Sequence, residues 1–243
     1  MTLTAVRPAR LLFIRHGHTA ANSNSEGRMS GWTDFPLSDL GRRQAEALSR
    51  RLAHGPPVSA LYASSLQRAS DTARALTGLK IKIQDVRYLE DLREIGCGEV
   101  DGWPVSRVRE RYPDLWEANL REDDPDFRWP QGESYREFRD RSLAAVSRIA
   151  AAHPGERVAV VTHAGVICEV IGWLHGTSPA EWSRFRPGNC SLTEVEWAGD
   201  CGTVLVFDDR SHLEEVNPEE ETRPSEEARS AFESGANTCP PGG

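Results

Sequence analysis

One short stretch near the start of the chain combines residue types that suit chemistry at phosphorus. Arg15, His16 and Gly17 follow directly on the apolar run Leu11–Ile14. A neutral imidazole is a competent nucleophile, and a guanidinium group presents paired donors that match phosphate oxygens. A glycine lets the backbone approach an anion closely. The stretch therefore predicts phosphoryl chemistry, although as a tripeptide it also fits a surface turn.

The elements that must position these groups alternate along the chain between strand-like and helix-like stretches. The strand-like runs are Leu11–Ile14, Ala60–Ala63, Ile81–Asp85, Val158–Thr162, Ser191–Trp197 and Thr203–Phe207. The helix-like stretches are a segment capped by Ser38 and Asp39 with apolar residues to Leu52, then Gln67–Thr77, Glu133–Ala152 and Val166–Leu174. This alternation predicts a single three-layer α/β/α domain with a mainly parallel sheet.

Ligand sites in such sheets lie beyond the carboxyl ends of the strands. Three stretches each follow a predicted strand, namely Arg15-His16, Ser64 to Arg68 and His163 to Gly165. We therefore expect them to meet at one edge of the sheet. Taken singly, Arg68 also fits a solvated helix charge and His163 a buried core histidine.

The composition limits the classes of protein to consider. The chain has 243 residues, of which 38% are hydrophobic and 27% charged, which suits one globular domain with its own core. No apolar run has the 18 or so residues that cross a membrane, so no membrane partner is expected. Five scattered cysteines without a Cys-x-x-Cys pair favour a reducing, cytoplasmic location over a disulfide framework.

The net charge of −8 is concentrated at the end of the chain. Residues 208–243 carry ten acidic side chains and three arginines, which leaves residues 1–207 near neutral. No nucleic-acid surface is therefore expected. The composition predicts a domain over 1–216 and an acidic, disordered tail over 217–243. The Trp- and Arg-rich stretch 101–135 interrupts the alternation, and we interpret it as a partly helical insertion that covers the site.

Several spaced motifs give the chain a family resemblance. In order, they are Leu12–Asn22 followed by Gly31–Ser38, then Tyr62–Ala69, Leu92–Gly96 with Gly102-Trp103, Gly132–Ser134, Val161–Val166 and Ser211–Leu213. The pattern resembles the histidine phosphatase superfamily, which includes phosphoglycerate mutases and broad phosphomonoesterases. Ordered blocks are far more specific than any one motif alone.

The resemblance implies a phosphoglycerate mutase-like fold and a role for each matching residue. His16 would carry the phosphoryl group as a phosphohistidine, with Arg15, Arg68 and His163 around its oxygens. Glu94 would be the general acid and base. The residues implied as further substrate contacts are Thr19, Asn22, Gly31 and Ala164. No metal and no cofactor is implied.

Position 18 departs from the family pattern, because His18 stands where an acidic residue is usual. We expect this change to alter the charge near the mouth of the pocket. The pair His16-x-His18 also has the spacing of a zinc site, although Arg15 would repel a cation.

The leading hypothesis is a metal-independent phosphatase whose partner is a small phosphomonoester. A mutase is the alternative, although the paired arginines expected of one are replaced by the alternating Arg107, Arg109 and Arg111. A non-catalytic scaffold would be expected to lack the nucleophile. Trp32, Trp103, Trp116 and Trp129 are candidates for a pocket wall, and we expect half or more of them to be structural. The sequence leaves open the individual substrate and the choice between monomer and homodimer.

Overall fold

A twisted sheet forms the centre of the protein in the computed structural model, which describes residues 7–23, 27–77 and 85–216. In the described part of the chain the strands run in the order β3-β2-β4-β1-β5-β6. The first four are parallel, and β5 pairs antiparallel with both β1 and β6. The strands are β1 (Ala9–Arg15), β2 (Ala60–Ser64), β3 (Val86–Leu89), β4 (Arg157–Thr162), β5 (Leu192–Ala198) and β6 (Cys201–Asp209).

Helices cover both faces of this sheet and confirm the predicted three-layer α/β fold. Side chains of β1 alternate between the faces, so Leu11 and Phe13 pack in one cluster and Leu12 and Ile14 in the other. The first cluster includes residues of α6 and α7, and the second includes residues of α2 and α3. The α-helices are α1 (Ala20–Ser23), α2 (Asp39–Ala53), α3 (Gln67–Leu76), α4 (Val105–Arg111), α5 (Pro113–Arg121), α6 (Tyr135–Ala152) and α7 (Ala164–Leu174).

Helix starts follow the capping rules that the sequence suggested. The Ser38 side chain accepts a hydrogen bond from the Gly41 amide at the start of α2, as predicted. Helix α6 begins with a capping box, in which Ser134 and Glu137 satisfy each other's backbone amides. These caps fix where each helix begins relative to the strand ends.

The edge of the sheet differs from the prediction at the residues that the structure describes. The strand there is Val86–Leu89, and Asp85 lies outside it, whereas residues 81–84 of the predicted strand lie outside the described residues. The edge strand β3 is only partly buried, so its apolar signal is weak. The predicted acidic tail, 217–243, also lies outside the described residues.

The insertion forms a small unit with its own apolar cluster. It contains α4 and α5, and its cluster includes Val108, Phe127 and Trp129. Its two ends meet in a neck, where the Glu99 amide donates to Pro130 O (2.8 Å) and the Glu133 amide to Gly96 O (2.9 Å). The neck holds the insertion beside the carboxyl edge of the sheet.

The cysteines do not all match the expectation of free thiols. Cys97, Cys168 and Cys190 are free and buried, whereas Cys201 is disulfide-bonded. Among the described residues, no helix is both long and apolar enough to cross a membrane.

Candidate active site

A cavity of about 440 Å³ lies at the carboxyl edge of the sheet, between the strand ends and the insertion. Its wall brings together most of the residues predicted from sequence to act on substrate. These are Arg15, His16, Thr19, Asn22, Arg68, Glu94 and Ala164. His163 and Gly31, which were predicted with them, do not belong to the wall. Seven of the nine predicted site residues thus lie in one cavity wall.

His16 is held in a form suited to nucleophilic attack. Its Nδ1 lies 2.8 Å from the carbonyl oxygen of Gly17. Because a carbonyl can only accept, Nδ1 carries the proton and Nε2 keeps its lone pair. Burial and the guanidinium groups of Arg68 and Arg15 hold the pKa of His16 well below its usual range. The imidazole is therefore neutral at physiological pH.

Arg68 is buried, and its guanidinium is fixed from several sides. Nε donates to Nδ1 of His163 (3.2 Å), Nη1 to Thr33 O (3.0 Å), and Nη2 to Ser30 O (3.1 Å) and Gly31 O (2.7 Å). A guanidinium has five N–H donors, so these four bonds leave one on Nη1 for a ligand. The cation is thus preorganised at the cavity wall.

His163 lies behind the wall rather than in it. It is fully buried, and its ring centroid is 5.1 Å from that of His16. Nδ1 accepts from Arg68, so Nε2 carries the proton and donates to Ser64 Oγ (2.8 Å). Both ring nitrogens are therefore engaged by protein groups. His163 thus helps to orient Arg68, and its contact with the phosphoryl oxygens, which the family resemblance implied, stays a prediction.

Gly31, a predicted substrate contact, also lies outside the cavity wall. Its amide donates to Asp101 Oδ1 (3.0 Å), and its carbonyl accepts from Arg68. The Asp101 carboxylate further accepts from the amides of Trp32 (2.6 Å) and Thr33 (3.1 Å). Asp101 therefore fixes the loop whose carbonyls hold Arg68. Sequence analysis missed Asp101, because a lone aspartate beside a glycine is typical of any turn.

Three further groups complete the polar end of the cavity. Arg15 ends β1 and donates from Nη1 to Pro187 O (2.7 Å). Ala164 begins α7, and a backbone amide at a helix N-terminus favours an anion. Asn22 accepts from Thr19 through Oδ1 (2.9 Å), which leaves its amide nitrogen as a donor. These donors line the cavity together with His16, and we call them the anion site.

Glu94 is held at the same wall by two backbone amides. Oε1 accepts from Ile95 (3.0 Å) and Oε2 from Gly165 (3.1 Å). The adjoining backbone is fixed by Arg141, which donates to the carbonyl of Glu94 (3.3 Å) and forms an ion pair with Glu133 (2.7 Å). A carboxylate aimed from the acid motif into the cavity can pass a proton to or from a bound group.

His18 does not lie at the pocket mouth, contrary to the sequence-based expectation. It is buried, its Nδ1 lies 2.8 Å from Ser38 Oγ, and it is not part of the cavity wall. His16 and His18 thus bond to different protein groups. Across the described residues, no three histidine, cysteine or acidic side chains are grouped closely enough to hold a metal ion.

Cysteine thiols in the cavity wall are poor candidates for the nucleophile. Cys97 and Cys168 line the cavity. Burial raises the pKa of both thiols well above the usual range. Because the thiolate is the reactive form, these cysteines are inert.

The structure shows which of the candidate tryptophans line the cavity. Trp116 and Trp129 line the cavity, whereas Trp32 and Trp103 do not. Arg186 also lies in the wall, in the loop before β5, where neither periodicity nor a motif marks it in the sequence. It is next to Pro187, whose carbonyl binds Arg15, so it adds positive charge at the polar end.

An α/β sheet whose strand ends combine a neutral histidine, two arginines and a carboxylate defines a phosphoryl-transfer enzyme. The family profile of the histidine phosphatase superfamily (branch 1) matches residues 11–210, so the chain belongs to that superfamily. It is 33% identical over 218 residues to Arabidopsis thaliana phosphoglycerate mutase-like protein 4, covering 86% of this chain and 88% of the relative.

Two further relatives agree with this assignment. The chain is 31% identical over 207 residues to a metal-independent phosphoserine phosphatase of Arabidopsis thaliana, covering 85% of this chain and 84% of the relative. Bacillus stearothermophilus YhfR has a similar structure, with a TM-score of 0.75 and 32% identity, covering 84% of this chain and 99% of that protein. The predicted family is confirmed.

Proposed function

We propose that the protein is a metal-independent phosphomonoesterase that hydrolyses a small phosphorylated metabolite through a phosphohistidine at His16. The observation that carries the proposal is the state of His16. Its Nδ1–H is bonded to Gly17 O, its pKa is held low by burial, and its Nε2 is free to attack beside Arg15 and Arg68. Nucleophile and anion site thus lie in one preorganised cavity.

The first step transfers the phosphoryl group to the enzyme. The lone pair of His16 Nε2 forms a bond to phosphorus as the bond from phosphorus to the ester oxygen breaks. Glu94, in its protonated form, gives its proton to the departing alcohol oxygen. Arg15, the remaining N–H of Arg68 and the Ala164 amide at the N-terminus of α7 bind the three equatorial oxygens, over which the charge of the transition state is spread.

The second step releases inorganic phosphate. Glu94, now a carboxylate, removes a proton from a water molecule whose oxygen attacks phosphorus. The bond between phosphorus and Nε2 breaks, its electron pair returns to His16, and Glu94 is again protonated. The hydrogen bond from Nδ1 to Gly17 O keeps the ring in one orientation through both steps.

Relatives carry both phosphatase and mutase names. The insertion has the alternating Arg107, Arg109 and Arg111 in place of the arginine pair expected of a mutase, which favours water over a second alcohol as the acceptor of the phosphoryl group. Mutase activity is therefore the alternative and not the leading proposal.

The experiment is phosphate release from a panel of phosphomonoesters in excess EDTA. We expect turnover by the wild type and loss of at least three orders of magnitude in His16→Ala. His54→Ala is the matched control, because His54 is exposed at the end of α2. Equal activity in wild type and His16→Ala, or complete loss of wild-type activity in EDTA, would refute the proposal. Interconversion of 2- and 3-phosphoglycerate without phosphate release would favour the mutase.

A further inference from the structure

Part of the cavity wall consists of aromatic rings in mutual contact. Neighbouring ring centroids are 6.5 Å apart for Trp116 and Trp129, and 5.2 Å for Trp129 and Phe127. They are 5.8 Å apart for Phe127 and Tyr135, and 6.3 Å for Tyr135 and Trp182. All five residues line the cavity. We call this set the aromatic wall.

Arginines close to the aromatic wall have protein partners. The Arg109 guanidinium lies 4.7 Å from the centroid of the Trp116 ring. Arg128 pairs with Glu137 (3.1 Å), and Arg28 donates to Gly102 O (2.8 Å). A second anionic group on the substrate would have to compete with these contacts or meet ring carbon, at the cost of losing its hydration.

The size of the cavity fits a substrate with a sizeable alcohol part. At about 440 Å³ it falls within the range of pockets that enclose small organic ligands. A phosphoryl group at His16 occupies the polar end and leaves the aromatic wall to the rest of the molecule. Flat rings stack on tryptophan faces with additional stabilisation beyond area burial.

We infer that the alcohol part of the substrate carries a planar aromatic or heteroaromatic ring, which packs against the aromatic wall. This inference rests on the proposed function, since it names the substrate class of the same site. Trp116 is suited to a test, because it lies on the insertion and is only half-buried, whereas Trp129 is buried. Trp116 then acts as a specificity-determining residue.

The test compares two esters with leaving groups of similar basicity, 2-(1-naphthyl)ethyl phosphate and ethyl phosphate. Their ratio of kcat/KM reports on ring binding rather than on the ease of breaking the ester bond. We expect a ratio of at least 30 in the wild type and a roughly tenfold fall of this ratio in Trp116→Leu, with partial recovery in Trp116→Phe, since one stacking contact is worth about a factor of ten.

Trp103→Leu is the matched control. Trp103 lies on the same insertion, is also half-buried and is also stacked by an arginine, Arg107, at 3.7 Å, but it lies outside the cavity wall. We expect its ratio to stay within twofold of the wild type. A wild-type ratio near one, or O-phosphoserine as a better substrate than the naphthyl ester, would overturn the inference while leaving the phosphatase proposal intact.

A binding measurement tests this inference independently of catalysis. If the wild type hydrolyses neither ester, binding replaces turnover as the readout, and the dissociation constants of 3-(1-naphthyl)propylphosphonate and propylphosphonate are compared by calorimetry. Preference for the naphthyl compound that falls in Trp116→Leu supports the aromatic wall as a binding site. Equal affinity for the two phosphonates refutes it.

Discussion

The placement of Arg68 depends on Asp101, a residue that does not itself line the cavity. Its carboxylate accepts three backbone amides, those of Gly31, Trp32 and Thr33, at 2.6–3.1 Å. Three of the four hydrogen bonds of Arg68 end on carbonyls of the same loop. We predict that Asp101→Asn weakens this support and lets the guanidinium move away from the phosphoryl group.

The magnitude follows from the hydrogen bonds lost. An asparagine keeps one acceptor oxygen and turns an amino group toward at least one backbone amide, so at least one bond is lost and the others lose their charge. Hydrogen bonds to charged groups contribute about 1.5–3 kcal/mol and neutral ones about 1 kcal/mol. Because the loop is partly exposed, hydrogen bonds from water compensate part of the lost interaction energy, and the net loss is about 2 kcal/mol. If all of it falls on transition-state binding, kcat/KM drops by about 30-fold.

The assay is a double-mutant cycle with Arg68→Met, measured as kcat/KM for one ester. If Asp101 acts through Arg68, Asp101→Asn costs less than about threefold once Arg68 is gone. Asp124→Asn is the control, because Asp124 makes a similar turn by accepting from the Asp126 amide (2.9 Å) away from the cavity. Losses that multiply in the double variant would refute positioning through Arg68.

Two other predictions concern protonation and space at the site. Burial lowers the pKa of His16 and His163, so below about pH 6.5 the unfolded chain binds protons that the folded chain does not. The free energy of unfolding should therefore fall as pH decreases from 6.5, by up to about 1.4 kcal/mol per pH unit for each histidine, and His16→Asn should remove one such contribution in urea titrations. In Gly165→Ala, the new Cβ would lie 2.1 Å from Glu94 Oε1; we expect kcat to fall about 100-fold with a small change in KM.

These two predictions have internal controls. Burial raises the pKa of Glu169 to about 7, which changes stability in the opposite direction between about pH 4.5 and 7. The pH test therefore compares His16→Asn with the wild type, and an unchanged dependence of the unfolding free energy on pH would contradict the prediction.

Gly55→Ala is the control for Gly165→Ala, because its added Cβ would meet its nearest atom at 3.6 Å. Full activity in Gly165→Ala would show that Glu94 is not held as described.

Much of the fold follows from the apolar patterns of the sequence. The buried strands, such as β1 and β4, are continuous apolar runs, and the residues after them carry the site because parallel strands end at one edge. Edge strand β3 has no such run, so the prediction of Ile81–Asp85 followed the stronger apolar signal and missed Val86–Leu89.

Side-chain direction was beyond the reach of the sequence. A histidine after a buried strand can face the cavity, like His16, or lie behind it, like His163, and the residue type is the same. Asp101 and Arg186 act through loops whose course depends on tertiary packing. Trp116 and Trp129 line the cavity and Trp32 and Trp103 do not. This difference depends on how the insertion packs against the rest of the domain.

The neck of the insertion has a consequence for how such a protein can diversify. The catalytic groups sit on the ends of core strands and helices, whereas most of the aromatic wall belongs to a segment closed on itself by backbone hydrogen bonds at 96–99 and 130–133. Backbone hydrogen bonds do not depend on the identity of the side chains, although Gly98 packs against Pro130 too tightly for any larger residue. Asp101 must stay, because its carboxylate fixes the loop that holds Arg68. Residues 102–129 beyond it thus form a cassette that can drift, or be exchanged between relatives, while the hydrolytic edge keeps its geometry.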